Sequence, residues 1–439
     1  MVLKNNILII GSGAREHAIT KALFSSKESK KLFCIASNMN PGIAELCNEI
    51  IIGNFNDPRF VVEYAKEVSA YLAIVGPENP LAEGVSDALW AAGIKVVGPK
   101  KSLAQIETSK AFTRNLQKKY KIPGGPKYKV FSSMNGVSEF LSELGKDYVV
   151  KFDGLAGGKG VKVSGEHLHS HSEAINHCLN LIDNKSSFVI EEKFIGEEFS
   201  LMSFCDGESL KHMPIIQDHK RAFENDTGPN TGGMGTYSDV DHSLPFLKTH
   251  EVNRAKEINI ATANALKKEF NDGYVGILYG GFIATRTGVK LIEYNARFGD
   301  PEAMNVFSLL DTDFLEICKA LTEKRLDKVK IQFKNKATVC KYAVPKGYPD
   351  KPVKNLPINL KKIENPDSLF YASVDVKNNE LVESGSRTVA SVGIANSIFS
   401  AEKIAESEMQ RIEGPLFHRS DIGKKELIDK KIKHMNSIR

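Results

Sequence analysis

Ile7-Leu-Ile-Ile-Gly-Ser-Gly-Ala-Arg-Glu-His17 is an unbroken apolar run that ends on a pair of spaced glycines and continues, over Ala14–Phe24, with helical spacing. A strand covered on both faces reads as continuous apolar residues, and such strands belong to parallel sheets with helices on either side. Working outward, further short apolar runs stand at Leu32–Ala36, Glu49–Ile52, Leu72–Val75 and Ile94–Val97, with helical stretches near Phe60–Val68 and Leu81–Ala92. This alternation predicts a Rossmann-like α/β domain over residues 1–101, closed by Gly98-Pro99.

The glycines at 11 and 13 let a backbone approach an anion, which the N–H groups of the next helix attract. A dinucleotide site asks for a third glycine at position 16, where Glu16 stands, and for an acidic residue after the second strand, where the chain has Ser37-Asn38. Both signs count against NAD, so a nicotinamide-dependent oxidoreductase is the weaker rival. Arg15 and His17 favour a sugar phosphate, while a tight turn without a ligand is the plainest alternative.

The chain has 439 residues, more than one core accommodates, so several subdomains are expected. Its net charge of +5, from 59 basic and 54 acidic residues, is spread too thinly for a nucleic-acid footprint but suits anionic phosphates. The six cysteines form no CxxC pair and no disulfide-like spacing, which points to a reducing compartment. No signal-peptide pattern and no apolar run of ~20 residues is present, so a cytoplasmic protein with no membrane partner is expected. Small-molecule substrates are the expected partners, and a monomer the expected state, with a dimer as the alternative.

Ser102–Tyr120 reads as one helix with Ser102 as its N-cap. From Tyr128 to about residue 320, hairpin-like strands mix with helices. Pro345, Gly347 and Pro349 mark a break, residues 330–415 read as β-rich, and a Lys-rich helical tail follows from Lys424.

Val149-Val-Lys151 ends an apolar strand and meets Asp153-Gly-Leu-Ala-Gly-Gly-Lys-Gly160. A glycine-rich hairpin tip carrying Lys159 can fold over a triphosphate, its N–H groups and ammonium offsetting the charge. The spacing is not that of a P-loop. Ser187–Ile195 is a strand running into an exposed stretch, followed by Gly196-Glu-Glu198; it can offer backbone groups to an adenine and a carboxylate to a ribose. Leu291-Ile-Glu-Tyr-Asn295 places Glu293 and Asn295 on one strand face, with Arg297 on the same parity. Two hard oxygen ligands awaiting phosphates and waters suit Mg²⁺. The neighbouring strand, Gly276–Thr285, adds no carboxylate, so that ligand set is thin. Gln217-Asp-His-Lys-Arg221 with Asp226-Thr-Gly-Pro-Asn-Thr-Gly-Gly-Met-Gly235 forms a polar glycine loop of the kind that carries function. His167, His169 and His171 read as solvated residues entering a helix capped by Ser170 or Ser172, rather than as metal ligands.

Taken in order, from Gly11-Ser-Gly-Ala-Arg-Glu-His-Ala18 through Asn295-Ala-Arg-Phe-Gly-Asp-Pro-Glu302 to His418-Arg-Ser-Asp-Ile-Gly423, these segments resemble the phosphoribosylamine–glycine ligase family of the ATP-grasp superfamily. The resemblance implies an α/β multi-domain fold: a substrate-binding domain at 1–101, an ATP-grasp unit at 102–325 with a lid at about 124–195, and a small β-rich C-terminal domain with a helical tail at 326–439. It implies a purine-biosynthetic ligase that uses ATP with Mg²⁺ or Mn²⁺ and passes through glycyl phosphate. Residue by residue, it assigns ATP to Lys110, Lys151, Gly157, Gly158, Lys159, Gly160, Glu192, Lys193, Ile195 and Glu198, and the metal to Glu293 and Asn295. The other substrates fall to Gly11, Gly13, Arg15, Gly76, Pro77, Glu78, Asp218, Lys220, Asn230, Thr231, Gly232, Gly233 and Arg297. Arg297, Lys151 and Lys159 are the expected catalytic residues. Ala14, Phe152 and Ser384-Gly-Ser-Arg387 depart from the family pattern, the last leaving the role of that turn open. A ligase for a neighbouring purine intermediate and a non-catalytic nucleotide-binding protein stand as rivals to this reading.

Overall fold

The computed structural model describes residues 5–157 and 160–439. The first strand, Asn6–Ile10, is buried along its whole length and lies at the centre of a parallel sheet. Lys31–Ala36 and Glu49–Ile52 extend that sheet on one side, Leu72–Val75 and Lys95–Val97 on the other. The stretch read as one helix over Leu81–Ala92 is two, Glu78–Glu83 and Val85–Ala91, because Gly84 takes a left-handed φ of +85° between them.

The helix expected over Ser102–Tyr120 is also broken. It comprises Lys101–Thr108 and Lys110–Lys119, and Lys100 rather than Ser102 stands at the N-cap position of the first, without a side-chain cap bond. Ser109 stands extended between them, and its hydroxyl accepts the Phe112 N–H at 3.0 Å. Asp153 fixes the break from a later strand end, accepting from the Ser109 hydroxyl and the Ala111 N–H. The interruption places Lys110 on the first turn of a helix beside the glycine hairpin.

Two antiparallel sheets follow. One runs Tyr128–Phe131, Phe188–Glu192, Tyr148–Phe152, Val161–Val163, and the helices Val137–Leu144 and His171–Asp183 cover it over a core of Phe131, Leu141, Val150 and Phe188. Ser170 caps the second of these helices, accepting from Glu173 N–H. The other sheet runs Leu210–His212, Gly196–Asp206, Val275–Thr285, Gly288–Asn295.

The last sheet is built around Ala337–Pro345 and Val389–Ala395. The region read as β-rich also holds a helix, Ile398–Arg411, whose Ile398, Ala401, Ala405 and Met409 are buried. Its apolar positions recur every three to four residues, a helical period that the surrounding strands obscured. The tail helix expected from Lys424 is Lys425–Ile438. Gln217–Asp218 and Gly235–Ser238, which bracket the polar glycine loop, join this C-terminal sheet, so the loop is built on two regions of the chain. Among the described residues, no helix is long and apolar enough to cross a membrane.

Candidate active site

Glu293 and Asn295 lie two apart on Gly288–Asn295 and share a face, with buried Tyr294 turned the other way. A bulge precedes them: Leu291 pairs with Phe282 and Glu293 with Gly281, leaving Ile292 unpaired. The freed Ile292 carbonyl accepts from Lys151 Nζ at 3.0 Å and from Arg114 Nη2 at 2.6 Å. Burial alone would raise the Glu293 carboxyl, but Lys220, Lys110, Lys151 and Arg297 outweigh it and hold the group below its usual range. Among the described residues no cluster of three or more His, Cys, Asp or Glu could hold a metal. Glu293 and Asn295 fit a hard divalent ion that takes its remaining ligands from phosphates and water.

Lys151 is 4% exposed and paired with Glu191 at 2.8 Å. Glu191 is also gripped by Arg114 through two bonds, at 2.7 and 2.9 Å. Burial pushes the Lys151 ammonium pKa down against the pull of Glu191. For Glu191, burial is outweighed by Arg114 and Lys151, and its pKa falls to about 2. This buried Arg–carboxylate–Lys triad carries one net positive charge. Lys110 reaches the same region, its Nζ donating to Gly154 O at 3.4 Å. Gly157 and Gly160 are described, whereas Gly158 and Lys159 between them lie outside the described residues.

Where Phe188–Glu192 ends, Glu192 accepts from Lys127 N–H and Lys193 Nζ donates to Ser164 O. Ile195 is 55% exposed, an apolar side chain turned to the open next to these backbone groups. Glu198 pairs with Lys220 at 3.1 Å. Glu198, Asp218, Lys220, Tyr279 and Glu293 line one cleft, so residues expected to touch ribose, acceptor substrate and metal meet there.

The glycine loop folds back on itself. Thr231 donates to Lys220 O through both N–H and hydroxyl, and Gly233 N–H returns to the Thr231 hydroxyl. Gly233 has φ +115°, and a Cβ there would meet Asp218 Oδ1 at 2.6 Å. Asp218 Oδ1 is buried and has no hydrogen-bond partner among the described residues. Burial and the nearby Glu302 drive its carboxyl well above the usual range. Asn230 pairs with Arg221 across the loop.

Arg297 Nη2 pairs with Glu107 at 3.0 Å and its Nε lies 3.3 Å from Glu78. Glu107 also accepts the Ala296 N–H, and burial keeps its carboxyl above the usual range despite Arg297. Burial raises the Glu78 carboxyl less than Arg297 and Arg15 lower it, leaving it at about 2. Glu78 begins the helix that follows Pro77 and faces Arg15 and Arg297, which brings Gly76-Pro77-Glu78 to this side of the site.

The first loop is less open than its sequence predicts. Gly11 N–H donates to Ile35 O, and Gly13 N–H donates to the Glu16 carboxylate at 2.6 Å. A Cβ at Gly11 or Gly76 would strike that same Glu16 side chain. Glu16 also pairs with Arg15 at 2.6 Å. The three glycines therefore enclose a carboxylate of the chain itself, where a dinucleotide phosphate would need to sit; an anion reaching Gly13 N–H must first displace it. His17 likewise departs from the sugar-phosphate reading. It stacks on Tyr371 and accepts the Tyr371 N–H at 2.9 Å, and burial, with Lys21, lowers its pKa to about 3. It is a neutral joint to the C-terminal region.

That joint has a pH signature. The folded state refuses the His17 proton until about pH 3, whereas an unfolded histidine takes it near pH 6.5. Its contribution is complete above about pH 6.5 and drains as the pH falls toward 3, at about 1.4 kcal/mol per pH unit. Thermal melts from pH 7 to 4 should show a shallower decline for His17→Asn, which keeps an acceptor for Tyr371 but cannot titrate. Parallel declines in both proteins would contradict the assignment.

Sequence reasoning missed Arg114, Glu191 and Glu107, because a lone arginine or glutamate on a helix or strand carries no motif. It left Arg387 open. That side chain reaches the Gly232 and Asp300 carbonyls at 2.8 Å each.

A two-sheet nucleotide cleft with a buried lysine, a carboxylate–amide pair and an adjoining parallel domain defines an ATP-grasp ligase. Models of the phosphoribosylglycinamide synthetase N domain, ATP-grasp (A) domain and C domain match residues 5–107, 108–303 and 338–425. The chain belongs to the phosphoribosylglycinamide synthetase family. It is 50% identical to the phosphoribosylamine–glycine ligase of Methanosarcina barkeri over 99% of both chains, and 50% identical to that of Methanocaldococcus jannaschii over the same shares. The crystal structure of the Thermotoga maritima phosphoribosylamine–glycine ligase matches with a TM-score of 0.81 at 26% identity, covering 95% of this chain and all of that one. A biotin carboxylase from Campylobacter jejuni, 12% identical, shares the fold with a TM-score of 0.71 over 98% of this chain and 95% of its own.

Proposed function

We propose that the chain joins glycine to 5-phosphoribosylamine at the expense of ATP, giving glycinamide ribonucleotide, ADP and phosphate, the second step of purine synthesis de novo. The observation that carries this is the single cleft in which Glu198, Asp218, Lys220 and Glu293 converge. A glycine carboxylate oxygen attacks the γ-phosphorus and ADP leaves; the amine of phosphoribosylamine then attacks the acyl carbon and expels phosphate. Lys110, Lys151 and the hairpin at 157–160 hold the ATP phosphates, with Lys159 assigned there from sequence alone. Glu192, Lys193 and Ile195 receive the adenine and Glu198 the ribose. Glu293 and Asn295 would hold Mg²⁺ or Mn²⁺, which neutralises phosphate charge when bound. Asp218, Lys220, Asn230, Thr231, Gly232, Gly233 and Arg297 receive glycine and the acyl phosphate. Phosphoribosylamine lies against Gly11, Gly13, Arg15 and Gly76-Pro77-Glu78.

The units are taken as 1–101, 102–325 and 326–439, with the lid at about 124–195, and the protein as a cytoplasmic monomer. Glycine labelled with ¹⁸O in its carboxylate tests the route: one label should appear in each phosphate released. Unlabelled phosphate would overturn the glycyl phosphate step.

Gly13→Val tests the first loop. Gly13 has φ −85°, which valine adopts, and its Cβ would press on the Glu16 carboxylate at 2.9 Å rather than strain the backbone. A charge-assisted hydrogen bond is worth ~1.5–3 kcal/mol, roughly ten- to a hundred-fold, so the phosphoribosylamine KM should rise by that much. The ATP KM should stay within a few-fold. A folded variant that loses ATP affinity instead would reverse the division of labour between the two glycine loops.

A further inference from the structure

The substrate loop between Gln217 and Gly235 is a glycine-rich excursion, yet it is gripped at two separate points by side chains from the C-terminal region. Near its middle, Arg419 is 1% exposed and forks onto Asp421 at 2.9 and 2.7 Å. Its remaining donors reach Asp226 at 2.8 Å and the Arg221 carbonyl at 3.1 Å. Asp421 accepts the Asn225 N–H, Ser420 donates to Glu224, and Lys431 pairs with Asp226 at 2.8 Å. Lys431 also pairs with Glu197, the neighbour of Glu198 in the ribose strand.

At the far end, Gly232 and Gly233 offer carbonyls that no strand partner uses. Arg387 Nη1 donates to both, at 2.8 and 3.3 Å, and to Asp300 O. The guanidinium is itself held, pairing with the Asp300 carboxylate at 3.2 Å and lying over the Tyr342 ring, whose hydroxyl donates to Asp300. A Cβ on Gly232 would come within 3.0 Å of the Arg387 guanidinium carbon, so the glycine there makes room for the arginine.

We propose that Arg387 and Arg419 are positioning residues for the acceptor substrates. They act from the C-terminal region by fixing the loop that carries Asp218, Lys220 and Thr231. The Arg387 contacts are all made by Nη1, and the guanidinium plane lying over the Tyr342 ring fixes where that nitrogen points, which the flexible stem of a lysine would not. Lys110 and Lys151, assigned to the ATP phosphates, are held by Gly154, Glu191 and the Ile292 carbonyl and not by these arginines, while the loop meets the ATP side through the Lys220–Glu198 pair. Loosening either end should therefore raise the KM for glycine or phosphoribosylamine while sparing ATP. This rests on the loop being the acceptor loop.

Three variants, followed by steady-state kinetics and thermal melts, test the proposal. Arg387→Lys keeps the charge and loses the planar group that lies over Tyr342; Asp226→Asn removes the loop carboxylate that Arg419 and Lys431 share and avoids emptying a fully buried arginine site. Each should raise the KM for glycine or phosphoribosylamine at least five-fold, with the ATP KM within two-fold and the melting temperature within a few degrees. Acceptor constants within two-fold of the parent in both variants would overturn the proposal, as would a rise of all three constants in step with lost stability. Asp218→Asn separates the two levels. If it raises the acceptor constants while the grip variants do not, the clamp alone falls; if it leaves them unchanged, the acceptor role of the loop falls, and the clamp with it.

Discussion

Replacing Glu293 by glutamine is expected to lower turnover by about 100-fold or more with the fold intact, the scale on which a preorganised charge-stabilising group acts. Four cations, Lys220, Lys110, Lys151 and Arg297, surround this carboxylate and keep it ionised. Glutamine preserves the volume and one oxygen but leaves those cations without their shared counter-charge, and it weakens any divalent ion held with Asn295. Turnover measured across a Mg²⁺ titration checks this. Near-normal activity at limiting Mg²⁺ would remove Glu293 from the metal assignment.

The second large effect concerns the triad of Arg114, Glu191 and Lys151. Lys151→Met should abolish measurable ATP turnover, yet it leaves Glu191 neutralised by the two-bonded Arg114. Glu191→Gln should cost more stability although it touches no substrate, because it strands two cations in a site where Lys151 is 4% and Arg114 2% exposed. Breaking a buried pair from one side costs roughly 3–5 kcal/mol. Urea unfolding of the two variants should therefore rank Glu191→Gln below Lys151→Met. The reverse order would mean that the triad is held by packing rather than by charge.

Much of the architecture was legible because its signals are local. Asn6–Ile10 announces a parallel strand by its four consecutive apolar residues from Ile7, and Glu293 and Asn295 share a face by strand parity alone. The breaks at Gly84 and Ser109 were harder to see. A glycine inside a periodic segment is compatible with a continuous helix, and the Ser109 cap is fixed by Asp153, some forty residues later in the chain. The Ile398–Arg411 helix was lost among strand-forming neighbours. In the site, motif residues announced themselves by their company, whereas Arg114, Glu191, Glu107 and Arg387 act through partners far away in sequence. Glu16 was read as hostile to a dinucleotide from its position, but that its carboxylate would turn back onto Gly13 depends on a side-chain conformation that spacing does not encode.

The most direct test of the proposed reaction is ADP release measured with ATP, glycine and phosphoribosylamine, supplied together and each omitted in turn. Rapid ADP formation is predicted only when all three are present, with glycinamide ribonucleotide and phosphate formed in equal amounts. ADP formation that does not depend on glycine, or that persists when another amino acid or bicarbonate replaces it, would contradict the assignment.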